Sequence, residues 1–127
     1  MPAFSLDASG EAQANQVGSH HNGMHFFPLD GSSHDSLLVL NHEYVEPRFL
    51  HAAAGLALHR NDFPQNADGS RDADQVRKEL NAHGVSVMRI RKEDDDQWHM
   101  VEDRLNRRIT GLTPMHLAGP VAASSMW

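Results

Sequence analysis

The run Leu37-Leu38-Val39-Leu40 constrains this chain most. Apolar residues that do not alternate demand cover on both faces, so the strand carrying them belongs inside a sheet. That strand reads as Ser36 to Val45 and is ended by Pro47. A shorter one, Met24 to Phe27, precedes it and is stopped by Pro28. Asp30-Gly31-Ser32-Ser33 supplies the turn between them, since Asp tolerates the left-handed region and Gly supplies positive φ. Ligand-type side chains gather around both runs: His20, His21, Asn22 and His25 at the first, Asn41-His42-Glu43 at the close of the second. A β-scaffold presents a hard-metal or phosphate site in this way.

The rest of the chain supports that stretch. A length of 127 residues holds one domain with a modest core. The apolar share, 39%, suits a loop-rich β-protein or part of a larger one. Residues 1–19 are small and polar, with one apolar anchor at Phe4-Leu6, and read as an extended arm or loop; residues 20–127 read as the domain. Phe49 to His59 reads as a short helix weakened by Gly55, and Asn61 to Arg71 as a loop. The clearest helix is Ala73 to His83, capped by Asp72 and ended by Gly84. Ala73, Val76 and Leu80 form its apolar stripe, and Asp74 with Lys78 an i,i+4 pair. Val85 to Arg91 and Trp98 to Glu102 read as a hairpin with an acidic, solvated tip at Glu93–Asp96. Asn106 to Gly111 reads as a second polar turn, and Thr113 to Pro120 as irregular or partly extended.

Composition removes several function classes. The net charge is −6, with 17 acids against 11 bases and no Lys/Arg cluster, which argues against a nucleic-acid partner. The absence of cysteine removes disulfides and thiolate metal sites. No apolar run reaches membrane-spanning length, and no export signal is expected in this chain. Arg107-Arg108 lies too late, with no apolar segment after it, to be a twin-arginine signal.

Among candidate sites, Asn41-His42-Glu43 carries most. Carboxylate and amide oxygens are the donors calcium prefers, and a carboxylate also suits ferric iron. On a strand, Asn41 and Glu43 point one way and His42 the other, so an oxygen pair can face a cation with His42 packed behind. The alternative is a strand end with solvated polar groups. His20, His21 and His25 have metal-like spacing, with His21 and His25 on one face of an extended chain; a polar loop entering a strand accounts for them equally. His42-Glu43-Tyr44-Val45-Glu46 lacks the second histidine of a helical zinc-protease motif and is rejected as one. Asn66-Ala67-Asp68-Gly69-Ser70 lacks both end carboxylates of a calcium loop. Arg107-Arg108 can grip a phosphate, or simply be paired surface arginines near a turn.

Five stretches then match one pattern in order and spacing: Gly18 to Leu29, Leu37 to Pro47, Val76 to Val87, Asn106 to Met115 and Ala118 to Pro120. Together, over about residues 10 to 123, they closely resemble the PhoX-type alkaline phosphatases, bacterial enzymes of a β-propeller fold. The resemblance implies a mainly β chain, one to two blades of a propeller with one inserted helix, incomplete here. It implies a phosphomonoesterase acting on phosphate monoesters through calcium and iron, located in the periplasm or outside the cell. By the same resemblance Glu43 is the first metal ligand to expect, then Asn41, with His21 and Asn22 beside them. Two departures stand out: Asn22 replaces an Asp frequent in the family, and His21 falls where the best-known branch has cysteine. Relatives are several times longer, so this chain is expected to be inactive alone and to need the remainder of its own domain. The rival expectation is a non-catalytic propeller or metal-binding interaction module.

Overall fold

The computed structural model describes residues 5–55, 62–116, 118, 119 and 122. Phe4 of the expected anchor, the second half of the helix expected over 49–59, and residues 120 and 121 and those from 123 onward lie outside the described residues. Among the described residues five strands form one antiparallel sheet: β1 (Met24–Pro28), β2 (Asp35–His42), β3 (Gly84–Lys92), β4 (Trp98–Met100) and β5 (Arg107–Ile109). The order is β1-β2-β3, and the far edge of β3 is shared by β4 and β5. Among the described residues three helices accompany the sheet: α1 (Gly10–Gln13), α2 (Pro47–Leu50) and α3 (Ala73–Ala82), with a 3-10 turn at Ala52–Ala54.

β2 is an inner strand, as its apolar run requires, paired with β1 from Met24↔Leu40 to Pro28↔Ser36 and with β3 along its length. The turn before it takes the expected form, with Asp30 at φ 50 and Gly31 at φ 73. Leu37 to Leu40 are nevertheless only half-buried. Neither face of the sheet is fully covered: Met24, Trp98 and Met100 stay exposed on the face that carries Leu38 and Met88, and Phe27 on the other. The buried apolar cluster sits to one side, at Val45, Leu50 and Ala82.

Four expectations are corrected. Residues 1–19 are not simply an arm, because one turn of helix, α1, forms at Gly10–Gln13 with Ser9 as its cap. It docks on α3: Gly10 N donates to the Asp74 carboxylate at 3.0 Å, and Asn81 Nδ2 donates to Gly10 O at 2.8 Å. A Cβ at Gly10 would lie 2.5 Å from Asp74 O, so glycine permits the approach. The helix expected over 49–59 breaks early, since Gly55 turns left-handed at φ 66 after the 3-10 turn. The polar turn expected at 106–111 contains β5, whose residues pair with Val85–Val87. Asn106 Oδ1 accepts from Arg89 N at 2.6 Å and so fills the ladder between β4 and β5.

The fourth correction concerns α3. Its cap is as expected, Asp72 accepting from Asp74 N and Gln75 N at 2.9 and 3.0 Å. Its buried face is the polar one, however, with Lys78, Glu79, Asn81 and Ala82 inside while Ala73 and Leu80 are exposed. Each buried polar group has a partner, which is what makes this orientation affordable. Lys78 Nζ donates to Leu6 O at 2.6 Å, so the expected Asp74–Lys78 pair is replaced; Asp74 instead lies 3.9 Å from Arg77. Glu79 takes His51 Nε2 at 2.8 Å and a fork from Arg71, whose Nη1 lies at 2.9 Å.

Across the sheet, Asp35 accepts from Arg89 Nη2 at 2.7 Å and Arg91 Nη2 at 2.8 Å, while Arg89 Nη1 reaches Asp103 at 2.6 Å. The bonds from Arg89 first, then Arg91, hold the Asp35 carboxyl well below its ordinary 3.8. A native pKa depressed in this way adds stability above the unfolded value and loses it as pH falls through the acid range. Urea midpoints are therefore expected to separate wild type from Asp35→Asn at pH 7, with a narrower gap near pH 3. An equal gap at both pH values would refute this role.

Candidate metal centre at the end of the first hairpin

Beyond Met24↔Leu40 the β1–β2 ladder continues into the polar segment. Asn41 N donates to Gly23 O at 3.0 Å and Glu43 N to His20 O at 3.4 Å, which sets residues 20–23 against 41–43. His20 turns the chain there in the left-handed region, at φ 55. His21, Asn22, Asn41 and Glu43, the four residues singled out by sequence, are thereby brought together. His20, His21, Asn22, Glu43 and Tyr44 line a solvent-facing pocket of about 450 Å³.

One side chain organises the loop. Asn41 Oδ1 accepts from Asn22 N at 3.1 Å and Gly23 N at 2.8 Å. Backbone N–H groups only donate, so the amide orientation is settled and both lone pairs of Oδ1 are engaged. Asn41 Nδ2 must then face Asn22 Oδ1, which it does at 2.5 Å, and Asn22 Nδ2 in turn donates to Glu43 Oε2. Glu43 is exposed, with its carboxylate at the pocket wall. The strand alternation holds: Asn41 and Glu43 both bond to the Asn22 side chain, and His42 lies behind, 2% exposed.

His42 connects the site to the sheet. Its Nδ1 is 3.0 Å from His21 Nδ1 and its Nε2 is 2.6 Å from Ser86 Oγ, and the two imidazoles meet edge to face at 4.7 Å. Burial, then the charges of Arg108 and His21, push His42 down to about 4, so it is neutral at pH 7. His21 Nδ1 also lies 2.8 Å from Asn41 O. Gly18 packs directly on the His42 ring, where a Cβ would come 2.9 Å from Cγ.

The other histidines disperse. His20 Nδ1 is 3.1 Å from Tyr44 O, and its ring rests against Tyr44 at 4.8 Å. His25 stacks on Phe27 at 4.4 Å along β1, so the expected His21–His25 face does not form. His34 meets Ser33 Oγ at 2.9 Å, and His51 is buried against Glu79. Arg107 and Arg108 do not act as a pair. Arg107 is exposed, whereas Arg108 Nη2 donates to Asn81 O at 2.8 Å and His83 O at 3.2 Å, at the carbonyl end of α3. Burial pushes Arg108 down to about 10, and it remains a cation at neutral pH. Sequence reasoning missed Ser86, a lone serine in an apolar strand with no motif around it.

The candidate donors left open are the Glu43 carboxylate, the Asn22 amide oxygen and the His21 imidazole; Asn41, expected as a ligand, has its oxygen taken by the loop N–H groups and holds the loop instead. Among the described residues no three His, Cys, Asp or Glu side chains converge as a metal cluster, so this donor set is one wall and not a full coordination sphere.

The family model for alkaline phosphatase PhoX matches residues 1–126. The chain belongs to the PhoX alkaline phosphatase family. A solved relative, Pseudomonas fluorescens PhoX in complex with vanadate, a transition state analogue, is 31% identical, with a TM-score of 0.77 over 98% of this chain. The chain spans 20% of that protein's length. No curated protein matches it. The mainly antiparallel sheet with few helices is thus one part of the propeller-like PhoX fold, as the sequence led us to expect. PhoX membership also bears on the hairpin end, because the stretches that carried the resemblance, 18–29 and 37–47, are the two that meet there.

Proposed function

We propose that this chain supplies one wall of a metal-dependent phosphomonoesterase site. Glu43 is the anionic ligand, Asn22 Oδ1 and His21 Nε2 stand beside it, and Asn41, whose Oδ1 is taken up by the loop N–H groups, holds the loop. The observation that carries this reading is the convergence of these residues at one hairpin end in a chain of a phosphatase family. The donor chemistry fits: carboxylate and amide oxygens suit calcium, and imidazole with carboxylate suits iron. Bound cations would offset the charge of the phosphoryl dianion, whose uncatalysed hydrolysis is among the slowest of reactions. This chain's own part is to hold the ligand oxygens in register through the Asn41 clamp. The substrates are phosphate monoesters, the setting is the periplasm or the cell exterior, and the remaining ligands come from the rest of the domain.

Asn22→Asp in the complete protein separates this reading from that of a non-catalytic module. The substitution removes the amide that donates to Glu43 and sets two carboxylates side by side. Without a cation they repel, and the metal-free protein loses stability; with calcium the added charge tightens binding about tenfold, the effect of ~1.4 kcal/mol. Chelation is expected to abolish hydrolysis of p-nitrophenyl phosphate, and calcium with iron to restore it. Activity indifferent to chelator, with calcium affinity unmoved by Asn22→Asp, would defeat the proposal.

A further inference from the structure

We propose that His42 and Ser86 are positioning residues that set the tautomer of His21, so that its Nε2 carries a lone pair toward the pocket and binds a first-row transition-metal ion. The inference rests on the reading of His21 as part of the metal wall.

Hydrogen-bond direction fixes where the protons sit. Asn41 O can only accept, so His21 Nδ1, 2.8 Å away, carries its proton. His42 Nδ1 lies 3.0 Å from that same nitrogen. Two N–H groups cannot face each other, so His42 Nδ1 is an acceptor and shares the His21 proton with Asn41 O. The proton of His42 is then on Nε2 and donates to Ser86 Oγ at 2.6 Å. Arg108 Nη1 approaches Ser86 Oγ from the other side at 3.4 Å, which also casts the hydroxyl oxygen as an acceptor. Reversing the Ser86 bond would put a proton on His42 Nδ1 and leave the lone pair of His21 Nδ1 against a carbonyl oxygen. This arrangement satisfies the contacts to Asn41 O, between the two imidazoles and from Arg108 together.

Burial makes the arrangement durable. Ser86 is 0% and His42 2% exposed, so water does not compete for these bonds. His21 is exposed and lines the pocket, and its Nε2 has no protein partner among the described residues. An imidazole whose inner N–H is tied to a carbonyl and whose outer nitrogen is free is the form in which histidine binds metals. Imidazole favours transition ions over calcium, so the relay bears on that ion and leaves calcium at Glu43 alone.

Cobalt(II) reports the site directly through its visible absorption in the complete, metal-stripped protein, with calcium affinity measured in parallel. Ser86→Ala is expected to weaken cobalt binding about tenfold or more, the lower end of what losing a supporting hydrogen bond costs a metal site. Calcium affinity stays unchanged, and Ser86→Thr, which keeps the hydroxyl, restores cobalt binding. His42→Phe, which removes the acceptor as well, is expected to reproduce the loss and to change the cobalt spectrum. Cobalt affinity untouched by Ser86→Ala and His42→Phe overturns the relay, as does an equal loss of cobalt and calcium affinity, which marks packing damage only. His21→Ala tests the underlying reading separately: cobalt binding that survives it shows that His21 is no ligand, whatever Ser86 does.

Discussion

Glu43→Gln in the complete protein is expected to lower phosphomonoesterase activity at least about 100-fold, beyond the 10–100-fold typical of losing a supporting partner of a metal ligand. The substitution is nearly isosteric and removes the carboxylate's charge. Glu43 is exposed, and its side chain's described partner is Asn22 Nδ2, which the glutamine oxygen can still accept. The fold should therefore persist while the proposed anionic ligand is lost. Hydrolysis of p-nitrophenyl phosphate at fixed calcium, together with bound metal measured by mass spectrometry, checks both halves. Partial recovery at high calcium is expected, because the remaining donors hold the cation more weakly. Unchanged activity and unchanged metal content would remove Glu43 from the site.

Gly84→Ala is expected to be the most damaging single change to the fold, at least about 3 kcal/mol, since it adds left-region strain to overpacking against backbone. Gly84 opens β3 at φ 117, and a Cβ there would lie 1.9 Å from Ile109 O and 2.9 Å from Thr110 Cα. Neither contact is a flexible side chain that can swing aside. Gly84 also sits opposite His42 in the β2–β3 register and beside β5, so the insult reaches the strand pair behind the proposed metal wall. Gly55→Ala is the control. Its φ of 66 carries a similar penalty, but none of the described residues lies within 4 Å of the added methyl. Urea denaturation should show a loss of only about 1–2 kcal/mol there. Equal losses at the two positions would show that backbone strain alone, and not close approach, makes Gly84 glycine.

Local chemistry was legible. The non-alternating run at Leu37–Leu40 demanded an inner strand, and β2 is one. Asp30-Gly31 demanded a left-handed turn, and Asp72 a helix cap, because both depend on residues within a few positions of each other. The site was legible in part for the same reason: strand alternation puts Asn41 and Glu43 on one side and His42 on the other whatever the sheet does. The orientation of α3 was not legible. Its apolar stripe pointed to Ala73, Val76 and Leu80, but the partners of its polar face, Leu6 O, Gly10 O, His51 and Arg71, come from distant positions. Histidine crowding misled in the same way, since neighbours in sequence were sent to Tyr44, Phe27, Ser33 and Glu79.

The sequence by itself determined β1 to β4, the first hairpin, the family to which it belongs and the candidate donors at the hairpin end, because periodicity, turn residues and ordered motifs act over short distances. Tertiary structure alone decided how those donors are arranged. The Asn41 clamp follows from strand pairing between residues 18 to 19 positions apart, and the contact between His42 and Ser86 spans 44. Hydrogen-bond direction, and with it the nitrogen that His21 offers, exists only once β1, β2 and β3 lie side by side.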